Sequence, residues 1–330
     1  MNRRALVAFM GAGIAVRASA SHAQRTQRLR TVGVLMGLTN DEENKPRAAA
    51  IEQGLAKRGW VVGQNLRLEY RFAGGDSARM RSLSKELVEL GPDLIIGHST
   101  PVVAALLEVT RTVPIVFVVV ADPIGSGFVT SLAHPGGNVT GFTVVQPSIT
   151  GKYLSILREV KPNLTRVALM FNPESVPGGG ALYTPSFVES AKEFGVTPVV
   201  APINTAAELE SFVNDFGAEP ESALIVMPGN FTTLYRGLII SLVARLQIPA
   251  LYPYRYFADE GGLLSYGIDV LDLFRRAPDY VDRILRGANP GSLPIQAPRK
   301  FELVINMKTA QALGIVVPRI LLAGADALIN

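Results

Sequence analysis

The sequence predicts an α/β protein made of two doubly wound halves, and three observations carry that prediction. From Thr31 onward, apolar β-rich runs of about five to eight residues alternate with stretches of about 12 to 18 residues whose apolar positions recur every three or four. The runs are continuously apolar: VGVLM, LIIG and IVFVVV have no polar face, as strands of a parallel sheet covered by helices on both sides require. The same alternation restarts beyond residue 144, and 307 residues after position 23 exceed the usual size of one compact domain.

The first half reads as strand 31–36, helix 46–58, strand 65–72, helix 77–90, strand 93–96, helix 101–110, strand 114–120, helix 127–133 and strand 139–144. The second reads as helix 149–160, strand 166–171, helix 182–194, strand 197–201, helix 205–216, strand 223–227, helix 233–246, strand 250–252 and strand 262–266. RVALMF answers TVGVLM as lead strand, but no residue-level repeat is visible, so two lobes of like architecture are expected without a recent duplication. The last part departs from simple alternation. Residues 269–286 form a strongly amphipathic helical pattern, GANPGSLP is a turn-rich connector, 301–305 is a short strand, and 307–313 opens a final helix. A chain that finishes one sheet, returns for one helix and adds a late strand is expected to cross several times between lobes.

Ahead of this pattern, residues 1–23 read as a cleavable export signal: Arg3 and Arg4, an apolar run from Ala5 to Val16, then Ser21-His22-Ala23 with small residues at the −3 and −1 cleavage positions. The run is shorter than the roughly 20 apolar residues a membrane anchor needs. The paired arginines admit twin-arginine export, although the residues after them match that pattern poorly. Removing Arg3, Arg4 and Arg17 lowers the formal net charge from +4 to +1. A nearly neutral protein with no Lys/Arg stripe interleaved with aromatics is not expected to bind nucleic acid. With no cysteine there are no disulfides, thiolate metal sites, cysteine nucleophile or lipid anchor on cysteine. The expected compartment is the periplasm, with no membrane anchor.

Enzyme signatures fail one by one. The glycines of FAGG and PGGG lack GxGxxG spacing, and no GxxxxGK[ST] exists, so no nucleotide cofactor is expected. His98 and His134 have no paired ligand spacing, so no metal is expected either. Ser265 in LLSYG lacks the first glycine of a GxSxG elbow.

Small polar residues do recur where strands end. In an open α/β sheet, ligands bind outside the carboxyl ends of the strands, where loops and helix N-termini converge. Here those ends are GLTNDEEN, GHSTP, VADPIGSG, FNPES and MPGNFT. Ser99 and Thr100 before Pro101 read as a helix N-cap with proline in the first turn, which would turn free backbone N–H groups toward an anion or simply cap the helix. Asp122 could accept from an ammonium or hydroxyl, or cap the glycine-rich turn, and Asn172 and Asn230 carry the same two readings. In YPYRYFADEGG, Tyr252, Tyr254, Tyr256 and Phe257 could stack on a planar ligand while Arg255 meets a carboxylate, or could pack a lobe edge.

The runs VADPIGSGFVTSLAHPGGNVTGF (120–142), GGLLSYGID (261–269), YVDRILRGANPGSLPIQAPRKFELVINMKTAQALGI (280–315) and LLAGADALI (321–329) resemble the ABC-transporter substrate-binding protein family that includes tryptophan- and tyrosine-binding members. HPGGNVTG and KFELVINMKTA in this order are the specific part of the match. The resemblance implies a type I periplasmic-binding-protein fold: two Rossmann-like doubly wound lobes joined by a three-segment hinge, with solute trapped between them. Lobe one is then 24–145 plus 268–298 and lobe two 146–267 plus 299–330, with crossings near 144–146, 267–269 and 296–300. It implies partnership with an ABC permease and ATPase, action as a monomer, and no catalysis. The implied cleft residues are Thr39, Asn40, Ser99, Thr100, Asp122, Asn172, Gly229 and Asn230, with Tyr254 and Asp269 as further ligand-facing candidates. Amino-acid-binding relatives often carry an acidic residue where this chain has Pro228-Gly229-Asn230. An ammonium buried without a paired charge is costly, so a carboxylate-bearing aromatic or other small organic acid is as good a candidate as an α-amino acid. Two other functions remain to be weighed: an exported α/β enzyme, and a solute-sensing subunit of a signalling receptor.

Overall fold

The computed structural model describes residues 28–41, 44–144 and 149–330, so the export signal lies outside the described residues, as does most of the first expected crossing. The first lobe runs β1 (Arg30–Met36), α1 (Asn44–Ala56), β2 (Leu66–Phe72), α2 (Ser77–Glu89), β3 (Leu94–His98), α3 (Thr100–Val109), β4 (Ile115–Val120) and β5 (Val139–Thr143). Its five strands pair in parallel in the order β2-β1-β3-β4-β5. The continuous apolar runs follow from two-sided burial. Val34, Ile96 and Val116 pack into one core, while their neighbours Leu35, Ile95 and Ile115 pack into another.

The second lobe runs α4 (Ile149–Val160), β6 (Arg166–Phe171), α5 (Thr184–Glu193), β7 (Thr197–Pro202), α6 (Ala206–Gly217), β8 (Ser222–Val226), α7 (Asn230–Leu234), α8 (Arg236–Arg245), β9 (Ala250–Tyr252), α9 (Arg255–Asp259) and β10 (Leu264–Ile268). The strands stand in the order β7-β6-β8-β9-β10, the order of the first lobe repeated. The chain then leaves this sheet. The next helix, α10 (Val270–Leu285), packs on α1 and against β3, β4 and β5 of the first lobe. Pro278 inside α10 faces Gly54, where a Cβ would come within 2.5 Å of the proline Cγ, so the two helices meet at nearly backbone distance. Trp60 Nε1 donates to Asp282 at 2.7 Å across the same interface.

After α10 the chain stays with the first lobe as far as Gln296, which bridges Phe142 at the edge of β5. It then returns as β11 (Phe301–Asn306), antiparallel to β10, followed by α11 (Met307–Ala312), α12 (Arg319–Gly324) and β12 (Ala327–Ile329). Two Rossmann-like, doubly wound lobes result.

Three segments differ from the sequence reading. Residues 127–133 are not helical. Asp122 accepts from the Gly125 N–H, Thr130 and Ser131 hydroxyls donate to the His134 carbonyl, and Gly127, Gly136 and Gly137 take positive φ, so side chains and turns satisfy the backbone that a helix would have. The helix expected over 233–246 starts at Asn230 and breaks at Tyr235 into α7 and α8. The closing run LLAGADALI divides between α12 and a final strand, which the pattern did not separate.

Candidate functional site

A strand order of 2-1-3-4-5 reverses direction between its second and third members, and the crevice above that reversal is where α/β sheets bind ligands. Both lobes point this end at each other. From the first come Leu38 after β1, His98 to Thr100 after β3, and Val119 and Ala121 at the end of β4; from the second come Ser175 after β6 and Pro228 to Asn230 after β8. Together with Arg47, Thr233, Tyr254 and Tyr256 they line a cavity of about 40 Å³. A second chamber of about 30 Å³ adjoins it and shares Val144, Pro228 and Tyr254; its remaining walls include Ile149, Tyr153, Tyr183 and Phe301.

The lobes touch across this space. Asn230 Nδ2 donates to Ser99 Oγ at 3.1 Å, and Ser77 Oγ donates to Glu174 Oε2 at 3.2 Å. Gly37 makes the first contact possible, because a Cβ there would come within 2.5 Å of Asn230 Nδ2. With so little room left, a solute enters only when the lobes part.

Two residues on the first wall hold unusual backbone. Ser99 has φ 84° and Val119 has φ 61°, and for a β-branched valine that region is strained. Val119 sits at the bulge where β4 slips register against β5, and Ser99 breaks the chain sharply between β3 and α3. Ser99 is therefore the boundary residue of α3 without capping it by its side chain, contrary to the cap expected from sequence; its hydroxyl serves the cleft. Thr100 Oγ1 accepts from the Ala121 N–H at 3.2 Å and so joins the ends of β3 and β4.

The polar chamber has one buried cation among the described residues, Arg47, only 5% exposed. Its Nη1 donates to Asn44 Oδ1 at 2.9 Å and its guanidinium lies 5.8 Å from the centroid of Phe274. Asn44 in turn donates to the Thr39 carbonyl and to Asp41, so the loop after β1 orients the guanidinium. Burial pushes the Asp41 carboxyl up, but hydrogen bonds from Thr39 and Asn44 and the Arg236 charge outweigh it and hold the group below its ordinary value. His98 is buried, and its Nδ1 accepts from the Gly37 N–H at 3.4 Å, which assigns the proton to Nε2. Desolvation, then the Arg47 charge, drive its pKa well down, so the imidazole is neutral near pH 7.

The second chamber is tyrosine-walled. Burial raises the hydroxyl pKa of Tyr153 and Tyr183 and keeps both as neutral donor-acceptors. Tyr254 stands at the junction, tilted 35° on Tyr256, whose hydroxyl bonds Thr233 at 2.9 Å.

Of the residues named from sequence, Ser99, Thr100, Gly229, Asn230 and Tyr254 stand on the cavity wall. The others do structural work beside it. Thr39 Oγ1 donates to Asp41 at 2.7 Å, Asn40 is exposed at the loop tip, and Asp122 caps its own turn. Asn172 spans the Ile203 carbonyl and the Ser175 hydroxyl, which fixes Ser175 on the wall. Asp269 caps α10 and pairs with Arg275 at 3.1 Å. Sequence reasoning missed Arg47, Tyr153, Tyr183 and Ser175 and set His98 aside. Arg47 left a readable signal: a cation in the first turn of a helix opposes the dipole and so asks for a specific reason to be there. Among the described residues no group of three or more His, Asp or Glu could hold a metal, and no helix is long and apolar enough to cross a membrane.

A match to the model of the family described as ABC transporter substrate binding protein runs over residues 31–329. The chain belongs to that family. It is 25% identical over 288 residues to a tyrosine-binding protein of Clostridioides difficile strain R20291, covering 87% of this chain and 82% of the relative. Among solved structures, it resembles a conserved domain protein from Vibrio cholerae with 27% identity and a TM-score of 0.84, over 91% of this chain and 100% of that one. It also resembles an ABC domain in complex with L-Trp from Streptococcus pneumonia with 26% identity and a TM-score of 0.83, over 91% and 99%. Within this substrate-binding family the fold is that of the type I periplasmic binding proteins, and the family's role is to bind solute rather than to catalyse.

Proposed function

We propose that the protein is the solute receptor of an ABC importer, exported by its N-terminal segment to the periplasm, and that its solute pairs an anionic head with an apolar or aromatic body. One observation carries the solute class: a polar chamber containing the buried Arg47 guanidinium, and no carboxylate among its described lining residues, abuts a tyrosine-walled chamber at Tyr254. A carboxylate head matches the arginine fork and the hydroxyls of Ser99 and Thr100, and a ring fits between Tyr153, Tyr183 and Tyr254. The relatives named for tyrosine binding and complexed with L-Trp support an aromatic body.

Solute bound to one lobe gains its remaining contacts only when the other lobe swings in, so binding favours closure by the difference in contacts between the two states. The permease then reads the closed form, and the receptor acts as a monomer. The test is a thermal-shift screen of the purified protein, refolded to strip carried-over ligand, against aromatic carboxylates, aromatic amino acids, short organic acids and sugars. A ligand that binds only the folded state raises the melting temperature by mass action, and the aromatic carboxylates are expected to do so most. Flat curves from a folded, monodisperse sample would overturn the reading.

A further inference from the structure

Away from the cleft, on the outer face of α10, Arg58, Arg275, Arg276, Arg283 and Arg299 converge on a groove of about 500 Å³, with Asp279 as the one carboxylate lining it among the described residues. Three of the five are matched: Arg58 with Asp279 at 3.3 Å, Arg275 with Asp269 at 3.1 Å and Arg276 with Asp272 at 3.4 Å. Arg283 and Arg299 have no carboxylate at ion-pair distance among the described residues; Arg283 lies over the Tyr280 ring at 5.6 Å. The floor is built. Arg276, its side chain 14% exposed, is pinned over Phe142 at 5.1 Å and donates to Gln296 Oε1 and to the Ala297 carbonyl, while Tyr280 donates to the Pro294 carbonyl and accepts from Gln296 Nε2.

We infer that this groove is a second binding site, for a small anion carrying two or more negative charges on oxygen, of the phosphate or polycarboxylate type. Guanidinium groups crowded on one face repel one another, and a multivalent oxyanion is the partner that relieves the repulsion while matching the planar fork. The position gives the site a consequence. Arg283 belongs to α10, which is packed on the first lobe, whereas Arg299 lies in the connector between Gln296 and β11 of the second. An anion held between them fastens that connector to the first lobe at a segment that must flex when the lobes part.

The test is isothermal titration of the purified protein with pyrophosphate and, separately, with citrate, at an ionic strength held constant with sodium chloride. Saturable one-to-one binding of either supports the site, and which of them binds identifies the phosphate or carboxylate source. Arg283→Ala and Arg299→Ala are each expected to weaken binding about tenfold, the loss of one charge-assisted contact, and the double variant to remove it. Both arginines are exposed, so unchanged melting temperatures are expected to certify the folds. Arg47→Met is expected to leave the titration unchanged. The proposal is overturned by the absence of saturable binding of both anions, by binding that survives the double variant, or by binding that Arg47→Met abolishes, since the anion would then lie in the cleft.

Discussion

The two walls of the cleft stand on sheets that share one five-strand order, extended in the second by β11 and β12, yet the first lobe contributes charge and strained backbone while the second contributes rings. Ser99 and Val119 at positive φ, the buried Arg47 and the neutral His98 all come from the first; Tyr153, Tyr183, Tyr254 and Tyr256 come from the second. The strand order thus sets where a solute sits, and the residues grafted on the loops set what it is. The division also assigns a role to each wall. The first wall orients a head group through fixed polar atoms, and the second contributes contact area that is realised only on closure.

The strongest test of that division is to stop the walls from meeting. Gly37→Ala puts a Cβ within 2.5 Å of Asn230 Nδ2 only when the lobes touch. Overpacking of that kind costs about 2–3 kcal/mol, on the order of a 100-fold loss of solute affinity in calorimetric titration; the same Cβ would also come within 2.8 Å of Ser99 Oγ in its own lobe, whose hydroxyl must turn away. Next comes the head-group contact. Arg47→Met should weaken binding of a carboxylate solute by about 2 kcal/mol, roughly 30-fold, and that of its neutral amide analogue far less; equal losses for both would mean that Arg47 serves packing alone. On the second wall, Tyr183→Phe removes one hydroxyl and keeps the ring, so a loss of about 1 kcal/mol, roughly fivefold, is expected if the hydroxyl meets solute.

The smallest expected effect is a pH dependence confined to the first wall. Because the folded state holds the His98 pKa below its unfolded value, the unfolded chain takes up a proton that the folded one refuses. No stability is at stake above the unfolded pKa near 6.5, and stability falls as pH drops beneath it. His98→Asn, which keeps an acceptor for the Gly37 N–H, should flatten this part of the melting curve between pH 7.5 and 5.5.

Much of the architecture was legible because burial on both faces leaves a direct mark on sequence. The runs VGVLM, LIIG, IVFVVV and RVALMF became β1, β3, β4 and β6 within a residue or two. The amphipathic pattern over 269–286 became α10, whose one apolar face is covered by α1 and the first sheet. The segment 127–133 misled because FVTSLA has helical spacing, while the glycines and hydroxyls around it satisfy the backbone locally in turns. At the site, loops at strand ends announced themselves through small polar residues, and Ser99, Thr100, Gly229 and Asn230 stand on the cavity wall. Asp122, Asn172 and Asp269 had the same local look, but their side chains are consumed in capping and bracing their own turns.

By itself, then, the sequence determined the two α/β halves, most strand and helix positions and the set of loops from which a site could be made, because period, burial and turn chemistry are local properties of a chain. The tertiary structure alone decided which of those loops face each other. Arg47 reaches the cavity because Asn44 and Asp41 turn the start of α1 inward, and Tyr153 and Tyr183, which carry no local mark of a site, line a chamber because α4 and the entry to α5 flank the sheet end that the other lobe meets. A chamber lined from residue 144 to residue 301 has no local signature; it exists only once strand order and the crossings between lobes bring those positions together.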